Sequence, residues 1–88
     1  MELILSGQFK KDIDKLKNDN KSLPYKLWTL IIDIDDNPND HLFGKGKPEK
    51  LKGNLQGCYS RRITQKHRLI YRIEGNKLYL ISCYGHYE

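Results

Sequence analysis

The chain has 88 residues, 38% of them hydrophobic, and a formal charge of +5. This length fits one domain, 1–88, with a modest core, since so short a chain buries only about 60–65% of its unfolded surface. No apolar run approaches the roughly 20 residues that span a bilayer. The apolar start at Leu3-Ile4-Leu5 is too short, and too close to Glu2, for a signal peptide, so no membrane role and a cytoplasmic location are expected.

The charge is uneven. Residues 1–43 carry six Lys/Arg and eight Asp/Glu, a formal −2, whereas residues 44–88 carry ten and three, a formal +7. Such asymmetry points the second half at an anionic partner. Aromatics stand between those cations, which favours nucleic acid over a merely solvated surface.

In chain order, Glu2–Leu5 predicts a strand, apolar enough to lie inside a sheet. Ser6 suits an N-cap, and Phe9, Ile13 and Leu16 then recur at helical spacing, with Asp12 among the polar residues on the other faces. Ser22 and Pro24 open a second helix whose stripe is Leu27, Leu30, Ile31 and Ile34. Asn37-Pro38 ends it, and the short link between the helices predicts an αα-hairpin. Asp33, Asp35, Asp36 and Asp40 read as solvated charge, because hard cations need converging loop ligands that this spacing lacks.

Residues 37–56 form a long connection, containing Gly44-Lys45-Gly46-Lys47-Pro48-Glu49. Its glycines let the backbone bend closely around a ligand. The ending of a P-loop is absent. Strands are predicted at 58–63, 67–73 and 77–83, with turns at Thr64-Gln65-Lys66 and Gly75-Asn76. A three-residue first turn, the expected one, sets Arg62 opposite Arg68, on the face away from the helices; a two-residue turn would put Arg62 on the face of Leu69 instead. Cys58 and Cys83 lack metal-ligand spacing and read as small strand residues. The expected architecture is α+β: an N-terminal strand and a two-helix hairpin packed on an antiparallel β-sheet.

One acid among cations, paired arginines and a C-terminal His86-Tyr87 suit cleavage of RNA without metal or cofactor. Such cleavage needs a base for the 2′-hydroxyl, cations for the charge growing on phosphate, and an acid for the departing 5′-oxygen. Glu49 and His86 can share the proton roles, and Arg68 and Arg62 can grip phosphate through paired N–H donors. Tyr87 can stack on a base. Lys45, Lys47 and Lys52 can meet further phosphates. His67 reads as a strand residue rather than a catalyst.

The run Gly44–Tyr71, with Leu55-Gln56-Gly57-Cys58-Tyr59-Ser60-Arg61-Arg62-Ile63-Thr64 inside it and His86-Tyr87 after it, closely resembles the YoeB/Txe toxins of the RelE superfamily. These are the toxins of bacterial type II toxin–antitoxin pairs. The resemblance spans nearly the whole chain in length and element order. It implies a RelE-like fold, ribosome-dependent cleavage of mRNA on the 70S ribosome, and neutralisation by a YefM-type antitoxin; it leaves a homodimer open. By motif position it implies Glu49 as general base, Arg68 as phosphate clamp, His86 as general acid and Tyr87 as its aromatic support, with Lys52 and Arg62 as secondary RNA contacts. Glu88 extends past the usual His-Tyr end and adds a negative charge beside Tyr87. The competing expectation is a basic RNA- or ribosome-binding module without chemistry, which would need neither Glu49 nor His86.

Overall fold

The structure, a computed structural model, describes residues 1–85. The elements run β1 (Glu2–Leu5), α1 (Gly7–Asp19), α2 (Leu23–Asp36), β2 (Glu49–Lys50), β3 (Tyr59–Arg62), β4 (Arg68–Glu74) and β5 (Lys77–Ser82), with a 3-10 turn at Gly53–Leu55. The strands form one sheet in the order β1-β5-β4-β3-β2, antiparallel except for β1, which runs parallel to β5.

Both helices lay their apolar stripes on one face of this sheet. Phe9 and Leu16 of α1, and Leu27, Leu30, Ile31 and Ile34 of α2, meet Leu69 and Tyr71 of β4 and Leu78 and Leu80 of β5. Strand alternation puts Ile70 on the opposite face, where it closes a small second cluster with Leu51 and Cys58. A bulge in the β4–β5 pairing sets Ile70 against Ser82 but Tyr71 against Leu80. The extra residue returns Cys83 to the helix side, where it is fully buried.

Several expectations change. β1 is not interior: it is an edge strand, with Glu2 and Leu3 exposed. Its apolar side serves one neighbouring strand and α2, where Leu3 and Trp28 line a common cleft. Ser6 caps α1 as expected, accepting from the Phe9 N–H at 3.0 Å. Ser22 does not cap α2 with its side chain. Its N–H and hydroxyl both donate to Asn20 Oδ1, which tightens the link between the helices instead. Asp12 is buried, not solvated, and accepts from the Cys83 N–H at 3.0 Å and from Gln8 Nε2 at 2.8 Å. The long connection is not wholly irregular, because it contains β2 and the 3-10 turn.

Candidate active site

The β3–β4 hairpin decides which side chains meet. Ile63 N–H donates to His67 O, so the turn holds three residues, Thr64 to Lys66, and Arg62 pairs with Arg68. β2 then pairs with β3, setting Glu49 opposite Ser60, while Ser60 stands opposite Ile70. Directly opposed residues share a face. Glu49, Arg62 and Arg68 therefore lie on the helix-free face, with the Ile70 cluster beside them as an apolar floor. Glu49 belongs to an edge strand rather than to a loop, so its backbone is held by the sheet.

The opposite parity of β3 holds what sequence reasoning missed. Arg61 is 1% exposed, the largest fully buried side chain among the described residues. Its Nη1 donates to Asp33 Oδ2 at 2.6 Å and to Lys45 O at 3.0 Å. Nη2 donates to Phe43 O at 2.9 Å, and Nε to Tyr71 Oη at 3.1 Å. The Lys45 N–H also donates to Asp33 Oδ2. Partial burial works against ionisation of Asp33, but the Lys45 N–H and the Arg61 guanidinium outweigh it and hold this carboxyl below the usual range. Asp33 is thus a structural anchor and not solvated charge. Tyr71 is pushed the other way, since burial raises its phenol despite the Arg61 bond.

This buried group fastens the Gly/Lys loop. Gly44 has φ +115°, and a Cβ there would fall on Asp33 Oδ2, so only glycine fits over the ion pair. Gly46 O accepts from the Arg62 N–H at 2.6 Å, tying the loop to β3 just where its arginines change face. Lys45, Lys47 and Arg62 line an open cleft of about 400 Å³ with Lys26, Thr29 and Thr64. Lys52 lines a separate one of about 380 Å³ with Lys50 and Gln56. The expected RNA contacts are therefore split between two clefts.

His67, expected in a strand, lies just before β4 and is buried. Its Nε2 lies 2.9 Å from Asp19 Oδ2, and its Nδ1 accepts from the Gly85 N–H at 2.8 Å. Asp19 also accepts from Tyr84 Oη. The bond from His67, seconded by that from Tyr84, holds the Asp19 carboxyl below its usual range. The expected roles of His86 and Tyr87 fall on positions outside the described residues. Neither thiol suits nucleophilic work: Cys58 and Cys83 are buried, and desolvation beside Asp12 pushes Cys83 up to about 12. Among the described residues no three His, Cys, Asp or Glu side chains are grouped to hold a metal. No helix among them is long and apolar enough to cross a membrane.

The model of the YoeB-like toxins of bacterial type II toxin–antitoxin systems matches residues 6–87. The chain belongs to the YoeB toxin family. The toxin YoeB of Escherichia coli is 40% identical over 87 residues, covering 99% of this chain and 100% of that protein. A crystal structure of the heterotetrameric YoeB–YefM toxin–antitoxin complex of Staphylococcus aureus superposes with a TM-score of 0.85 at 40% identity, covering 99% of this chain and 98% of that one. The structure of a YoeB dimer from Staphylococcus aureus gives 0.86 at 40% identity, with the same coverage. The expected RelE-like architecture is thus the fold of this YoeB-family toxin.

Proposed function

We propose that this YoeB-family toxin is a ribosome-dependent endoribonuclease that cleaves mRNA without a metal ion. The observation that carries the reading is the register of β2, β3 and β4, which gathers Glu49, Arg62 and Arg68 on one helix-free face. Glu49 takes the proton of a 2′-hydroxyl, and the freed oxygen attacks the adjacent phosphorus. Arg68, seconded by Arg62, stabilises the charge on the phosphoryl oxygens. The bond from phosphorus to the 5′-oxygen breaks, and His86 protonates the leaving oxygen, with Tyr87 supporting the reacting nucleotide. The products are a 2′,3′-cyclic phosphate and a 5′-hydroxyl, so no external nucleophile is required.

The ribosome is the proposed partner because it presents mRNA singly stranded, and the loop lysines Lys45, Lys47 and Lys52 suit the RNA around it. The reaction then belongs to the cytoplasm. A YefM-type antitoxin is the proposed inhibitor, its acidic segment folding over the Arg62/Arg68 face; the toxin is also proposed to pair with a second copy of itself.

The test is cleavage of mRNA on programmed 70S ribosomes, read by primer extension. Glu49→Ala, Arg68→Ala and His86→Ala should each lower the single-turnover rate by about 10²–10⁴-fold while staying folded. Upstream fragments ending in a 3′-hydroxyl would overturn the metal-free route. Growth arrest by all three variants with mRNA intact would overturn the ribonuclease reading in favour of a ribosome-binding module.

A further inference from the structure

The neighbours His67 and Arg68 both grip Gly85. The ring of His67 accepts from the Gly85 N–H at 2.8 Å, and the Arg68 N–H donates to Gly85 O at 3.1 Å. Because Nδ1 accepts, the ring proton sits on Nε2, which donates to Asp19 at the end of α1. Tyr84 packs its ring, tilted by 32°, against the imidazole at 4.4 Å between centroids and donates its hydroxyl to the same carboxylate. Asp19, His67, Tyr84 and Gly85 thus form one connected set, 2% exposed at the imidazole. A neutral imidazole offers one donor and one acceptor, and both are used here. The second nitrogen is spent on the main chain of a glycine whose φ of +78° turns the chain immediately before His86.

We propose that His67 is a positioning residue for the proton donor of the reaction. It fixes the Tyr84–Gly85 peptide through the Gly85 N–H, and the adjoining Arg68 fixes the next peptide through the Gly85 carbonyl while serving as the phosphate clamp. The inference rests on the ribonuclease reading, which gives Arg68 and His86 their roles. Misplacement of a reacting group by about 1 Å costs up to ~10²-fold in rate, so a grip on Gly85 matters to turnover more than to binding.

Two substitutions separate the two ring nitrogens. In His67→Asn the amide oxygen stands where Nδ1 stood and can still accept from Gly85, but the reach to Asp19 is lost. In His67→Gln the amide stands where Nε2 stood and can still donate to Asp19, but Gly85 loses its acceptor. On programmed ribosomes His67→Gln should lower kcat by about 10–100-fold with KM unchanged, and His67→Asn should keep most of the rate. Exchange of the Gly85 amide in the free toxin, followed by NMR, should quicken at least about tenfold in His67→Gln and change little in His67→Asn. Equal losses of rate in both variants, tracking their melting temperatures, would show a role in folding alone and overturn the proposal. So would wild-type rates in His67→Gln despite rapid exchange at Gly85. Wild-type toxin that leaves mRNA intact would overturn the ribonuclease reading itself, and the positioning role would fall with it.

Discussion

Arg61 and Arg62 are the same residue type one position apart, yet they belong to different parts of the molecule. Arg61 points at the helices and spends its guanidinium on Asp33, Tyr71 and the carbonyls of Phe43 and Lys45. Arg62 pairs with Arg68 on the open face and lines an open cleft with Lys45 and Lys47. One arginine holds the loop and the other is left with donors to offer an anion. Strand parity, not residue type, makes that division. A basic patch counted from composition therefore overstates the charge available to an anionic partner by at least the buried member.

Breaking Arg61 should have the largest effect. Arg61→Ala leaves the Asp33 carboxylate, the Tyr71 hydroxyl and two loop carbonyls without their donor. A loss of about 3–5 kcal/mol in urea unfolding is expected, since removing one partner strands the other's charge. A loss below about 1 kcal/mol would mean that the ion pair does not hold the loop. Next comes Gly44→Ala, which forces a Cβ onto Asp33 at a positive φ and should cost about 1–3 kcal/mol. Gly53→Ala also has a positive φ but meets open space, so it serves as the strain-only control and should cost less.

Acid offers a milder way to strip the same anchor. The Asp33 carboxyl is held below its usual value of 3.8, so its contribution is fully present above that value and is lost as pH falls through the lowered one. Stability measured from neutral pH into acid should fall less steeply in Asp33→Asn than in the wild type; parallel curves would remove Asp33 from the acid response. The smallest effect on the fold belongs to Arg62→Ala, expected within about 0.5 kcal/mol of wild type. Its signature lies in binding: the slope of log affinity for ribosomes against log salt should fall by about 1. An unchanged slope would place Arg62 outside the RNA contact.

Much of this was legible from the residues. The helix stripes, the Ser6 cap and the Arg62–Arg68 pairing follow from periodicity and turn length. Tyr59, Arg61 and Ile63 share a parity, so the inward course of Arg61 was readable from its two apolar neighbours. Its partner was not, because Asp33 sits in an acidic run that looks solvated and is 28 residues away. β2 escaped notice because two residues are too few to show alternation, and their pairing is set by β3 rather than by their own composition. The edge position of β1 was hidden for a related reason: three apolar residues look interior whether a strand or a helix covers them. His67 read as a strand residue, and nothing local pointed to its partners Asp19 and Gly85. These failures share a cause, which is that contacts distant in sequence are fixed by topology.

The pairing of β1 with β5 has a consequence for synthesis. Leu3 lies beside Leu78 and Leu5 beside Leu80, so the earliest strand to be made has its sheet neighbour, among the described residues, near the far end of the chain. Domains dominated by such remote pairings fold late and slowly. While β2, β3 and β4 are being translated, β1 has no sheet edge to join, and β4 lacks the neighbour that completes its second side. The sheet carrying Glu49, Arg62 and Arg68 cannot close until residues 77–82 have left the exit tunnel. By the order of its strands alone, this face is completed only when nearly the whole chain has been made.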